Sequence, residues 1–180
     1  MVNNKGYTLI ELILVIAIMA ILSGASFLTI GIIKEAKRQS AASTLDNQIS
    51  SCLIKTKAVS PGMNGKEASL CMVIRKRTDG AYAVLNGYMQ TGNLTDATGS
   101  VLNPDEDEDC EVVLSKEISN IIYKPSDAKQ QLVANDMVIQ FIKSDGSTQY
   151  GGGAFELYKK NGDLYATIYL DKVSGNHYIK

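Results

Sequence analysis

The stretch LILVIAIMAILSGASFLTIGII, Leu12–Ile33, is 22 consecutive residues without a charge. At about 1.5 Å rise per residue, a helix of that length spans roughly 33 Å, close to the ~30 Å hydrocarbon core of a bilayer. A secretory signal carries a shorter apolar region, about 7–15 residues, with its small residues beyond the run at the cleavage point. Here Ser23, Gly24, Ala25 and Ser26 lie inside it. The stretch therefore predicts a membrane-spanning helix, and the rest of the chain is placed by working outward from it.

Toward the C-terminus the pattern changes without a break. From Lys34 onward, Ala41, Ala42, Leu45, Ile49, Cys52, Leu53 and Thr56 recur at three- and four-residue spacing with polar residues between them, the mark of a helix with one buried face. Gly24 and Gly31 are the intrinsic weak points of the apolar half. Ser60-Pro61-Gly62 ends the helix, so residues 7 to about 58 read as one helix of roughly 78 Å. Its segment 7–33 belongs in lipid, and its segment 34–58 packs on a globular, β-rich head, residues 59–180. Strand-like runs in the head are Leu70–Arg75, Ala81–Tyr88, Val138–Lys143, Phe155–Lys160 and Leu164–Lys172, separated by turn signals such as Asp145-Gly146 and Asn161-Gly162. Asn-Gly as a two-residue loop sets Lys160 opposite Asp163 and Tyr158 opposite Tyr165. Phe155, Leu157, Leu164, Ala166, Ile168 and Leu170 then face the helix; Glu156, Tyr158, Tyr165, Thr167, Tyr169 and Asp171 face away. The expected fold is α+β, a long N-terminal helix packed on an antiparallel sheet.

Toward the N-terminus one residue is out of place. Glu11 puts a carboxylate at the edge of hydrocarbon, where a charge costs up to about 2.5–3.5 kcal/mol at the helix centre and less near the end. Either it snorkels to the interface or it is kept for a cation. Its surroundings, Lys5-Gly6-Tyr7-Thr8-Leu9-Ile10-Glu11-Leu12, resemble the signature of type IV prepilins: a short basic leader, Gly, an aromatic residue, Thr-Leu-Ile-Glu and an apolar run. The resemblance covers roughly the first thirty residues; the mature chain begins with Tyr where many members have Phe, and the span has no Pro.

The resemblance implies a leader peptide, residues 1–6, removed by a prepilin peptidase between Gly6 and Tyr7, with the new Tyr7 amine methylated by the same enzyme. It implies that Glu11 pairs with the Tyr7 amine of a neighbouring subunit during assembly. The chemistry is consistent: Gly6 gives an unhindered scissile bond, and two charges at ~4 Å attract by roughly 4 kcal/mol at an effective dielectric of about 20. Pairing with the chain's own Tyr7 amine, one turn away, is the competing arrangement. The implied partners are the peptidase, other pilin subunits, an inner-membrane assembly platform and, before assembly, membrane lipid. The implied product is a structural subunit of a type IV pilus. The alternatives are a pseudopilus subunit of a type II secretion or competence system, or an uncleaved anchored surface binding protein. Lys34, Lys37 and Arg38 after the span slightly outnumber the positive charges before it, against an N-terminus in the cytoplasm; the motif places it there nonetheless, with the head extracellular after assembly.

Charge excludes one class of partner. Eighteen Lys and Arg balance nineteen Asp and Glu, and the basic residues are scattered, so there is no footprint for nucleic acid. The cysteines, Cys52, Cys71 and Cys110, admit one disulfide with a free thiol, in any of three pairings, or three unpaired thiols. Asp105-Glu-Asp-Glu-Asp-Cys-Glu holds six acids in seven residues and reads as a solvated loop. Calcium at Asp105, Asp107 and Asp109 is the alternative, but Cys110 stands where an EF-hand turn needs Gly. Tyr158, Tyr165 and Tyr169 read as cross-strand packing or as a contact stripe, and Gly151-Gly152-Gly153 as a bulge or loop. His177, the one histidine, has no Ser or Cys motif near it, and no catalytic group or cofactor is expected.

Overall fold

Helix α1, Leu9–Ala58, runs through fifty residues without interruption, past Gly24 and Gly31. The computed structural model describes residues 8–58, 70–90, 93–127 and 136–180. The chain forms two units, Met1–Lys37 and Arg38–Lys180. In the first, every side chain from Thr8 to Gly24 is exposed, and Leu12, Leu14, Ile16 and Leu22 are each more than half accessible. An apolar surface of this extent requires lipid or other apolar helices to cover it. The polar Ser23 is no exception to that character, because its Oγ donates to the Met19 carbonyl at 2.7 Å and is satisfied within the helix.

The second unit is built on the amphipathic face. Ala41, Ala42, Leu45, Ile49, Cys52 and Thr56 are buried at the expected spacing, with Leu53 packed beside them. They rest on two antiparallel sheets where a single sheet was expected. The first has the order β3-β2-β1-β6-β7: β1 Leu70–Lys76, β2 Tyr82–Gln90, β3 Asn93–Thr95, β6 Met137–Phe141 and β7 Thr148–Tyr150, with β4 Val112–Val113 also paired to β2. The second has the order β10-β9-β8-β5: β5 Ile118–Pro125, β8 Gly153–Lys159, β9 Leu164–Leu170 and β10 His177–Ile179. The main core joins the helix face to Met72, Ile74, Val84, Ile139 and Phe141 of the first sheet and to Ile121, Phe155, Leu157, Ile168 and Leu170 of the second. A smaller core, including Val73, Leu85, Leu94 and Leu102, covers the other side of the first sheet.

The C-terminal hairpin departs from the expected loop. Lys159 N–H donates to Asp163 O at 2.8 Å and Gly162 N–H to Lys159 O at 3.0 Å, with Gly162 at φ +87°. That is a three-residue loop, Lys160-Asn161-Gly162, with a bulge in place of a two-residue turn. Tyr158 consequently sits opposite Leu164, not Tyr165, and Lys160 is in the loop. From Leu157↔Ala166 onward to Phe155↔Ile168 the implied register resumes, because the bulge absorbs the extra residue. Around the bulge the faces change: Leu164 is half exposed, while Tyr165 packs against the main core. Thr167 is buried too, between Glu156 of β8 and Lys180, the residue that follows β10.

Apolar packing holds the helix to the head. Leu45 and Ile49 are fully buried, each worth about 1.5–3 kcal/mol. The ion pairs Arg38–Glu117 at 3.6 Å and Lys55–Glu111 at 2.7 Å are partly exposed, and such pairs contribute about 0–1 kcal/mol. Since this face is already covered, a fragment lacking residues 1–34 is expected to be a soluble monomer with one cooperative unfolding transition. Light scattering and chemical denaturation check this; aggregation or gradual unfolding would show that the head needs partners to fold.

Candidate processing and assembly site

The described chain begins at Thr8; the expected cleavage position, Gly6 and Tyr7, lies outside the described residues. Thr8 occupies the N-cap of α1. Its Oγ1 accepts a hydrogen bond from Glu11 N–H at 3.4 Å. In return Glu11 Oε2 accepts from Thr8 N–H at 2.8 Å and from Thr8 Oγ1 at 2.9 Å. Leu12 N–H donates to Thr8 O at 3.3 Å, the first turn of the helix. This is a reciprocal capping box, T-x-x-E, which satisfies two amides that the helix leaves without partners. A carboxylate at this end is also favoured by the helix dipole.

Sequence reasoning treated Glu11 as a charge in search of a cation and overlooked its local role. The signal was present, since Thr followed three residues later by Glu before an apolar run is a helix start. Both Thr8 donors converge on Oε2, so among the described residues Oε1 has no partner. The carboxylate is thus turned toward the N-terminal end of its helix, with Oε2 anchored by Thr8.

The three aspartates of the acidic run are directed at separate donors. Asp105 Oδ1 accepts from Thr78 N–H and Oγ1, both at 2.9 Å; Asp107 pairs with Arg77; Asp109 Oδ2 accepts from Asn103 N–H at 2.9 Å. Glu111 holds Lys55 of the helix, which keeps its carboxyl below the usual range. The run is a clamp that ties the loop to the β1–β2 turn and to α1. Among the described residues no group of three His, Cys, Asp or Glu side chains is placed to hold a metal ion.

All three cysteines are free thiols. Cys52 lies in the main core and Cys71 in the smaller one. Burial pushes their thiols up to about 11 and about 12, which keeps both protonated and unreactive near neutral pH. Cys110 Sγ donates to Glu106 O at 3.3 Å within the acidic loop.

The tyrosines do not form one stripe. Tyr158 donates to Glu156 at 2.6 Å, Tyr165 packs inward under Lys159, and Tyr169 stacks on Tyr178 with ring centroids 5.1 Å apart. His177 fastens β10 to the helix through Ser50 Oγ, 2.8 Å from Nε2.

Residues 1–27 match the prokaryotic N-terminal methylation motif, the signal motif of type IV pilins and pseudopilins. That match supports a pilin- or pseudopilin-type protein, a structural subunit rather than an enzyme, and it implies processing by prepilin peptidase and assembly with other pilins. The architecture is pilin-like α+β, and the exposed apolar helix fits membrane anchoring before assembly. No curated protein and no solved structure matches the chain.

Proposed function

We propose that the chain is a structural subunit of a type IV pilus, made as a membrane-anchored precursor and cut between Gly6 and Tyr7. In this reading residues 1–6 are the leader, 7–33 the anchor that becomes the filament core, 34–58 the packing half of the helix and 59–180 the head. The N-terminus faces the cytoplasm until processing, and the Tyr7 amine is methylated as it is released. Glu11 then pairs with the Tyr7 amine of a neighbouring subunit. What supports the reading most is the carboxylate of Glu11, aimed at the N-terminal end of a helix whose next 22 residues are uncharged.

Mass spectrometry of the purified protein tests it: a methylated Tyr7 is expected as the first residue, and a chain starting at Met1 would identify an uncleaved anchor. Shearing cells and finding the chain enriched in the filament fraction distinguishes a surface pilus from a short pseudopilus. Gly6→Val is expected to abolish processing, because a branched side chain beside the scissile bond would not fit a cleft shaped for Gly. A mutant that still yields chains beginning at Tyr7 would show the assigned cleavage position to be wrong.

A further inference from the structure

Among the described residues, Asn86 is the one whose side-chain nitrogen and oxygen are both buried without a hydrogen-bond partner. It stands in β2 opposite Met72 and two residues from Val84, both members of the main core, so its amide lies on the side of the first sheet that faces α1. A buried amide without partners is disfavoured, and folded proteins rarely keep one without a use for it. Two other groups complete its surroundings. Glu111 N–H donates to Val84 O at 2.9 Å, which brings residue 111 alongside this part of β2. Glu111 Oε1 accepts from Nζ of Lys55, in the last turn of α1, at 2.7 Å. Lys55 draws the Glu111 carboxyl below its usual range, and the Asn86 side chain acts on it in the same direction. One carboxylate is thus shared by an amine and by a primary amide that has no hydrogen bond of its own.

We propose that this is a modification site, at which Lys55 Nζ becomes covalently joined to the side-chain carbonyl carbon of Asn86, with Glu111 as the proton carrier. The Lys55 ammonium gives a proton to the Glu111 carboxylate, which is within reach for general base chemistry. The freed lone pair on Nζ forms a bond to Asn86 Cγ, and the bond from Cγ to Nδ2 breaks. Nζ gives up two protons in all; Glu111 passes both to Nδ2, and that nitrogen leaves as ammonium. The product is a secondary amide between the two side chains, and the step needs neither oxidant nor cofactor. The ion pair keeps the proton on Lys55 most of the time, which makes the step slow. It has to occur only once per chain, however, and the fold holds the reacting groups together throughout. The two buried N–H donors of Asn86 leave with the ammonium, which removes the unpartnered group. The bond ties the end of α1 to the first sheet and closes the chain between Lys55 and Asn86 into a loop. It does not depend on cleavage after Gly6 or on the role of Glu11.

The test is mass spectrometry of peptides from the full chain, purified from the cells that make it. A branched peptide is expected, in which the segment holding Lys55 is joined to the segment holding Asn86 and the sum is lighter by one ammonia. Recovery of the two segments only as separate peptides, at the masses their sequences require, overturns the proposal. Lys55→Arg keeps a positive charge beside Glu111 but lacks the amine, and is expected to abolish the ammonia loss. Glu111→Gln keeps the size and removes the proton carrier; it is expected to slow bond formation by about a hundredfold or more, read as the linked fraction at fixed times after synthesis. Gly87 follows Asn86, so attack of its backbone nitrogen on the same carbon is the rival route to ammonia loss, closing a ring that does not involve Lys55. Ammonia loss that persists in Lys55→Arg would assign the chemistry to that ring and overturn the cross-link. Linkage of Glu111→Gln at the wild-type rate would overturn the role of the carboxylate. The branched peptide is sought first in the unaltered chain, so a variant that misfolds does not decide the outcome.

Discussion

Glu11→Gln is expected to leave the chain inserted and processed, yet to reduce its entry into filaments by more than tenfold. The substitution separates two roles that alanine would remove together. Gln is the other residue that completes a capping box, since its amide oxygen can accept from the Thr8 N–H and hydroxyl, so the helix start at Thr8 survives. What is lost is the charge. Insertion should be unchanged or easier, because an ionised group has been taken out of an apolar segment. Cleavage should continue, because the bond after Gly6 and the apolar run are intact. Assembly should fail, because the neighbour's amine is left without a counter-charge among apolar helices. Removing one member of a desolvated pair typically costs about 3–5 kcal/mol. Glu11→Ala should be at least as defective, having lost the cap too, and Glu11→Asp should recover only part of the activity, its carboxylate being one methylene short. The measurement is the share of processed subunit in sheared filaments, with the N-terminus read by mass spectrometry. Wild-type incorporation of Glu11→Gln would show that the glutamate caps its own helix and nothing more.

The parts of the fold that could be read from the sequence are those whose signal is local. The helix is written in an uncharged run and then in a three- and four-residue repeat, and it extends to Ala58, ahead of Ser60-Pro61-Gly62, as expected. Strands β1, β2, β6, β8 and β9 fall within two residues or so of the runs that predicted them. The turn chemistry was less legible. Asn161-Gly162 serves a two-residue and a three-residue loop equally well, and the choice moved Tyr165 from the outer face to the core. Strand β5 carries its own, weaker clue, the isoleucine-rich stretch Ile118-Ser-Asn-Ile-Ile before Pro125. Least legible was the division into two sheets. It depends on β5 leaving the first sheet to pair with β8, and on β6 returning to pair with β1. Those are non-local choices, and no periodicity within either strand encodes its partner. At the site, the charge anomaly of Glu11 was visible at once, but its hydrogen bonds to Thr8 required the backbone of the first turn.

Gly153→Ala is expected to be strongly damaging to the head, lowering its stability by about 3 kcal/mol or more. The position lies where the chain passes from β7 of the first sheet into β8 of the second, and Gly151-Gly152-Gly153 is the passage. Gly153 pairs with Pro125 at the end of β5 on one side and with Leu170 of β9 on the other. A Cβ added there would stand 2.3 Å from Lys124 O, 2.8 Å from Ser126 N and 3.0 Å from Pro125 Cα. All three are backbone atoms, so no side chain can rotate aside; β5 itself would have to move. The local conformation compounds the clash, because φ at Gly153 is +144°, which an L side chain rarely adopts and which costs about 1–3 kcal/mol. Forcing extra volume into packed surroundings adds about 1–3 kcal/mol. Moving β5 would also disturb Ser126 N–H and Tyr123 Oη, which donate to Gly152 O at 2.9 Å each. Against a usual folding margin of 5–15 kcal/mol, such a loss leaves the head near its limit. Chemical denaturation of the 35–180 fragment measures it, with Gly162→Ala as the comparison: that glycine also has positive φ, but open space where the Cβ would go. Gly162→Ala should therefore cost only the conformational part, about 1–2 kcal/mol. Equal losses at the two positions would show that β5 yields freely to the new methyl group and that the crossing between the sheets is not the tight junction its distances indicate.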